Sequence, residues 1–274
     1  MLTPKEIVSY AAKSAITKGE YSFSKVGALS FLAGAYIAMG GLLAILAGYG
    51  FPGISAENPA LVKLLMGAAF PVGIMLVVLA GAELFTGNTA YFIPAVLNKQ
   101  TTWQKMLRNW TLVWLGNFVG ALFFTYFLVH LTHVMHYEPW LAGIESIAKA
   151  KTSNPFYVTF LKGVGANWFV CLAMWLGMSA TSTGGKIIAL WWPVMAFVAI
   201  GYEHSIANMF FLPLAMFNGF ELSITDLFIK NLIPATLGNI VGGSLFVGVV
   251  YWYVFVSDTP LKKNEQEEYL KSHK

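Results

Sequence analysis

The sequence predicts an all-α integral membrane protein whose six spanning helices form two inverted three-helix repeats, each containing one broken helix. Three observations predict it. Charged residues make up 11% and apolar residues 57% of the chain, and the mean hydropathy is +0.64; an ordinary soluble domain carries about 25% charge. Charge-free runs cover 26–56, 64–82, 109–137, 163–185 and 231–257, and most reach the roughly 20 residues that a helix needs to cross hydrocarbon. Finally, residues 81–88 and 201–208 both read G-x-E-x-x-x-x-N, 120 residues apart. Each tag lies in a long apolar window, 64–98 or 187–220, whose one charge is Glu83 or Glu203. A carboxylate in hydrocarbon is costly, so its default reading is a functional or tightly satisfied site. Matching sites in two halves indicate an internal duplication with a pathway between them.

The elements follow in order. Thr3-Pro4-Lys5-Glu6 supplies an N-cap, a proline at the first helical position and a capping carboxylate, and Ile7, Ala11 and Ala15 form one apolar stripe. Residues 1–25 are therefore expected to be a cytoplasmic amphipathic helix and linker resting on the membrane surface, with gating as the alternative role. Spans are expected at 26–50, 62–98, 109–134, 156–180, 187–220 and 231–256, so 26–256 is the membrane domain and 257–274 a cytoplasmic polar tail. As unbroken helix the 64–98 window would extend roughly 50 Å, against a hydrocarbon core of about 30 Å. Gly81, Gly87 and Pro94 in the first window, and Gly201 and Pro213 in the second, point to discontinuous helices. Non-helical backbone at that depth must be buried in protein or line a cavity, and half-helix N-termini would aim unpaired N–H groups inward, which suits an anion.

The repeat extends beyond the tags. Residues 109–120 and 231–242 share N-x5-L-G-N-x-V-G at an offset of 122, and Phe31 and Phe160 open a matching Phe-Leu-x-Gly. The halves are thus about 26–137 and 156–256. Three spans per half is an odd number, so the second half runs inverted. With the N-terminus inside, twelve Lys and Arg fall on the cytoplasmic side and four (Lys63, Lys149, Lys151, Lys230) outside, leaving Lys162 within a span; this bias places both termini inside. The formal charge of +4 is therefore a topology signal and not nucleic-acid affinity.

His204 follows Glu203 at an expected break, and histidine exchanges a proton near neutral pH, so it is the leading candidate for contact with a solute. Thr86, in the corresponding region of the first half, offers a hydroxyl to that imidazole or to the solute, or merely caps a helix. Glu83 and Glu203 are either proton carriers or, the preferred reading, carboxylates that accept backbone N–H groups of the broken segments. Asn117, Asn167 and Asn239 are amides within spans that bridge freed backbone groups or pack helix to helix. Lys151, before the fourth span, is a solvated loop charge or an attractant that concentrates anions at a vestibule mouth; its removal is expected to take away attraction and no packing. Lys162 is expected to snorkel, with anion attraction at the vestibule as its alternative role. His130, His133 and His136 are spaced by three, so the third side chain swings off the face of the first; they read as cations at a helix C-terminus. No metal or other cofactor is expected. No H-E-x-x-H, G-x-S-x-G or nucleotide-binding motif occurs, so no enzyme is expected.

These motifs resemble a known family. Gly201-Tyr-Glu-His-Ser-Ile-Ala-Asn-Met209, Glu83-Leu-Phe-Thr-Gly87, the two L-G-N runs and Asn167-Trp-Phe-Val-Cys-Leu-Ala173 are similar to the formate/nitrite transporter family over nearly the whole chain. Within it, stretches 148–152, 160–163 and 188–192 look closest to the bacterial nitrite channels. The resemblance implies an aquaporin-like protomer of six helices, assembled as a homopentamer with one pore per protomer, in the lipid of the bacterial cytoplasmic (inner) membrane. It implies that His204 and Thr86 face each other at the pore centre. Leu84, Phe85 and Phe197 then fall at apolar constrictions, with Ile74 near one; Lys151 is the vestibule lysine, and Asn167, Glu203 and Asn239 belong to a central hydrogen-bond network.

The expected function is a channel for small monovalent weak-acid anions, nitrite first, with formate or hydrosulfide as alternatives; a proton-coupled secondary transporter of the same anions is the rival. A bare anion between Leu84, Phe85 and Phe197 incurs several kcal/mol of desolvation, up to about 20 in the idealised limit. Protonating a carboxylic acid of pKa about 3.7 at pH 7 costs only about 4–5 kcal/mol. Lys151 and helix dipoles are expected to draw the anion in, and His204, or water beside it, to share a proton there. Permeation of the bare anion is the competing route.

Overall fold

The computed structural model describes residues 1–257, without the side chains of Ile54 and Ser55. Apart from Ser257, the expected polar tail lies outside the described residues. The principal helices are α1 (Pro4–Gly19), α2 (Phe23–Tyr49), α3 (Pro59–Gly81), α4 (Phe85–Leu97), α5 (Trp103–His130), α6 (Trp140–Thr152), α7 (Phe156–Ser179), α8 (Thr183–Ile200), α9 (Ser205–Phe217) and α10 (Ile224–Phe255). By length and composition α2, α3, α5, α7, α8 and α10 can each cross a membrane, so this is a multi-pass membrane protein. No strand occurs among the described residues.

Each broken span is interrupted at its tag. Helix α3 closes with a π-helical turn, Val77–Gly81; Gly81 adopts φ 83°, and extended backbone leads through Ala82 and Leu84 into α4. Helix α8 ends at Gly201, with φ 86°, and α9 restarts after His204. An L side chain in this left-handed region would cost roughly 1–2 kcal/mol, which is why glycine occupies both points. Leu84 and His204 then share nearly the same N-cap backbone, φ −105° with ψ 123° and 113°. Glu83 N–H donates to the Leu29 carbonyl at 3.1 Å, and Glu203 N–H to the Lys162 carbonyl at 3.3 Å. The repeats therefore share a backbone device as well as letters.

The L-G-N-x-V-G runs seat α5 and α10 against neighbouring helices. A Cβ at Gly120 of α5 would collide with the Phe31 carbonyl of α2, and one at Gly238 of α10 with the Phe160 carbonyl of α7. The close approach brings Asn117 and Asn239 to the two breaks. Three crossings per half turn the second repeat over relative to the first. The result is the aquaporin-like bundle, with the N-termini of α4 and α9 meeting at Thr86 and His204.

Helix α1 starts as expected: Thr3 Oγ1 accepts from Glu6 N–H, and the Glu6 carboxylate accepts from Thr3 N–H at 2.7 Å. Its apolar face does not rest on the membrane surface, however. Ile7, Ala11 and Ala15, joined by Val8, Ala12 and Ile16, are buried against the protein, chiefly α4. Three alanines on that face let α1 lie close to another helix, whereas a lipid-facing stripe gains more from larger side chains. Glu20 adds an ion pair to Lys105 of α5.

Candidate functional site

The tags and the L-G-N runs build matching polar knots around the two breaks. In the second half, Asn239 Oδ1 accepts from Ser205 N–H at 2.8 Å, and its Nδ2 donates to the carbonyls of Glu203 (2.9 Å) and Gly163 (2.8 Å). In the first, Asn117 Oδ1 accepts from Phe85 N–H at 3.0 Å, and its Nδ2 donates to the carbonyls of Glu83 (2.9 Å) and Ser30 (2.8 Å). Backbone groups orphaned by a break must find partners in a dry interior, and these two amides supply them. Bridging freed backbone groups is the role expected of these amides, but it was expected of the carboxylates as well. They instead accept from side chains, one lysine each together with neutral amides, because a buried carboxylate needs a counter-charge as well as hydrogen-bond donors. Glu203 Oε2 accepts from Asn208 (2.6 Å), Asn231 (3.2 Å) and Lys151 (3.1 Å). Glu83 accepts from Asn88 (2.8 Å) and Lys18 (2.5 Å).

Sequence reasoning left five of these residues unassigned. Asn88 and Asn208 close the tags, while Asn109 and Asn231 open the N-x5-L-G-N-x-V-G runs. Each pair is linked, Asn88 to Asn109 Oδ1 at 2.9 Å and Asn208 to Asn231 Oδ1 at 2.7 Å, so the repeat itself held the signal. Lys18 had none, because it arrives from α1, outside the repeats. Lys151 arrives from α6 and plays the same part. The Lys151 side chain is 15% exposed and its Glu203 partner 3%. Removing Lys151 therefore strands a buried charge, contrary to the expectation that it contributes attraction alone. Asn167 joins the halves: its Nδ2 donates to the Thr86 carbonyl (3.2 Å), Thr89 Oγ1 (2.9 Å) and the Asn239 carbonyl (2.6 Å).

Between the knots, His204 Nδ1 accepts from Ala207 N–H at 3.1 Å, capping α9, and its Nε2 lies 3.1 Å from Thr86 Oγ1. A ring nitrogen that accepts carries no hydrogen, so the neutral ring holds its proton on Nε2 and donates to the Thr86 hydroxyl. The half-helix N-termini are less open to an anion than expected: the N–H groups of Phe85, Ser205 and Ala207 are taken by Asn117, Asn239 and His204. Phe197 stacks on His204 with centroids 5.8 Å apart, and Phe70 meets Phe197 edge-on at 6.1 Å. Leu84, Phe85, Phe197 and Ile74 are all buried, Phe85 lying edge-on to Trp110 and Ile74 in α3 ahead of its π-helical turn.

A cavity of about 420 Å³ on the face carrying α6 ends on Phe197 and His204. Lys162 is among the residues that line it. The three outer histidines also differ from expectation. Helix α5 stops at His130 and His133 adopts φ 60°, so the chain turns back and brings the rings together. His133 Nδ1 lies 2.6 Å from His136 Nδ1, and His136 Nε2 lies 3.2 Å from His130 Nδ1. The two His136 nitrogens face different partners, so three nitrogens do not converge, and no metal-holding group occurs among the described residues.

A cavity lined by buried apolar rings and one imidazole, between two inverted repeats, is the layout of a membrane channel or transporter. The comparisons agree. The family model described as Formate/nitrite transporter matches residues 5–253, and the chain belongs to the formate/nitrite transporter family, whose members are transporters and channels, not enzymes. The chain is 44% identical to the "Probable formate transporter" of Methanothermobacter thermautotrophicus, over 93% of this chain and 98% of that protein. It is 38% identical to the "Nitrite transporter NirC" of Escherichia coli (strain K12), over 82% and 81%. Among solved structures, an "FNT family ion channel" superposes with TM-score 0.80 at 33% identity, covering 90% of this chain and 98% of that one. A "Pentameric formate channel with formate bound" gives 0.75 at 31%, covering 86% and 98%.

Proposed function

We propose that this chain is a homopentameric channel for small monovalent anions of weak acids, carrying both nitrite and formate, in a bacterial cytoplasmic membrane with both termini inside. The observation that carries the reading is the His204–Thr86 pair, 3.1 Å apart and buried beside apolar Phe197, Leu84 and Phe85. Such a site suits a solute that needs one or two hydrogen bonds and cannot bring its hydration shell. Relatives named for formate and for nitrite support the substrate class, and the pentameric solved neighbour supports the assembly. The nitrite-first order rests on the sequence stretches alone, and the 44% identical relative bears the formate name.

The anion loses water at Phe197 and takes a proton from water in the vestibule. Thr86 and His204 Nε2–H then hold the neutral acid, which returns its proton to water beyond Leu84 and Phe85. Lys151, Glu203 and Asn239 keep the break rigid on the entry side, as Lys18, Glu83 and Asn117 do on the other. The test is liposome flux of nitrite, formate, hydrosulfide and chloride across a pH series. Nitrite and formate should pass faster as pH falls, because the neutral fraction grows, and chloride should not pass. Chloride flux equal to formate flux, or flux independent of pH, would remove the neutral-acid step. Native mass spectrometry in mild detergent should show pentamers; monomers alone would count against the assembly.

A further inference from the structure

Three lysines line the α6-side cavity, Lys63, Lys151 and Lys162, and Glu203 is the one acid among its described lining residues. Lys151 and Glu203 are 3.1 Å apart and largely buried, so to a solute several ångströms away they act as a dipole and not as a free cation. Asn208 and Asn231 also engage the same Glu203 oxygen, and Asn231 donates to the Lys151 carbonyl at 3.0 Å. That knot is structural. Of the acids outside the cavity, Glu145 pairs with Lys149 at 2.5 Å and Asp226 with Lys230 at 3.2 Å, while Glu57, just ahead of α3, is exposed and does not line the cavity. Neither Lys63 nor Lys162 makes an ion pair or side-chain hydrogen bond among the described residues. Among the described lining residues the cavity therefore carries positive charge that no lining acid compensates, and it comes from these two lysines.

Their depths differ. Lys63 is exposed in the first turns of α3. Lys162 is half-buried, and its carbonyl accepts the Glu203 N–H at 3.3 Å, which sets its backbone against the break. We infer that Lys162 is the anion-holding residue of this vestibule, that Lys63 is its outer accessory, and that Lys151 is a positioning residue for the break. The assignment deepens the channel reading and rests on it. An ammonium offers three donors and a compact charge on a flexible stem, which suits a monovalent oxyanion held loosely enough to leave. In a cleft with low-dielectric walls that charge raises the local anion concentration, and it does so just before Phe197, where the anion is stripped of water.

The test uses the full-length protein in liposomes, with initial rates of formate and nitrite uptake measured at low and high substrate and at rising sodium sulfate. Lys162→Gln should lower the rate at low substrate about three- to tenfold, the lower end of such focusing effects. The deficit should shrink as substrate rises, and the salt dependence should flatten. Lys162→Arg should restore most of the rate, and Lys63→Gln should lose less. A Lys162→Gln protein that matches wild type in both concentration and salt dependence overturns the assignment. If that variant does not assemble, the wild type decides: its rate at low substrate must fall as sulfate screens the cavity, and a salt-independent rate overturns the inference. A wild type that carries neither anion overturns the channel reading itself, and the Lys162 assignment with it.

Discussion

Replacing His204 by phenylalanine keeps a ring of similar size beside Phe197 and removes both nitrogens. Ala207 N–H loses its acceptor, and a lost N-cap costs about 0.5–2 kcal/mol. Thr86 Oγ1 loses a partner, a net loss of about 0.5–1.5 kcal/mol. The expected destabilisation is about 1–3 kcal/mol, which for a chain of this size lowers an unfolding temperature by roughly 3–10 °C. Asparagine caps helices as well as any residue but is too short to reach Thr86. His204→Asn should therefore recover the cap and still lack the Nε2–H donor. The two variants separate the scaffold role of the imidazole from its role toward a solute. The assay pairs unfolding scans at one fixed rate with formate flux against external pH. Unfolding temperature should rank wild type, then Asn, then Phe, while both variants depart from the wild-type flux profile. A His204→Asn protein with wild-type flux at every pH would make His204 a cap alone, and the step in which its Nε2–H holds the neutral acid would be wrong.

Thr86→Val is nearly isosteric and deletes one hydrogen bond worth about 1 kcal/mol, so in the same flux assay it should lose less than His204→Phe; an equal or larger loss contradicts that ranking. Asn239→Leu leaves Ser205 N–H and the Glu203 carbonyl without the amide that engages them, at about 1–3 kcal/mol each. Asn117→Leu should destabilise to a similar degree, and a tolerant site in unfolding scans would end the claim that the repeats use one device. Lys151→Met should cost about 3–5 kcal/mol by stranding buried Glu203, and adding Glu203→Gln should recover much of it; no recovery means the pair is not coupled. His136 titrates below its ordinary value, chiefly through burial and further through charge on His133 and His130. The unfolded chain then binds more protons as pH falls below about 6.5, so this turn should loosen with acid. Amide hydrogen exchange across 131–137 between pH 7 and 5 measures it, and constant or increased protection at pH 5 contradicts the sign.

Much of the fold was legible because it is written locally or twice. Gly81 and Gly201 mark the breaks because φ near 85° favours glycine over residues with a side chain, and the apolar windows were too long for straight spans. Thr86 and His204 each lie inside a tag, which made them candidates, and their facing each other across 118 residues was implied by the family resemblance. The four unassigned asparagines sat inside motifs already recognised, and only their partners were missing. Lys18, the covering of the Ala11–Ala15 stripe, the convergence of the three histidines and the inward placement of Lys162 had no such signal.

What the sequence by itself determined was the number of spans, the duplication, the two interruptions and the candidacy of His204 and Thr86. Transfer into lipid and the conformational limits of single residues depend on local composition. The tertiary structure alone decided that Lys18 of α1 and Lys151 of α6 neutralise Glu83 and Glu203, and so which lysines remain free to meet an anion. A buried carboxylate recruits whichever cation the packed helices bring within about 3 Å, and no periodicity in a single chain encodes which helix that will be.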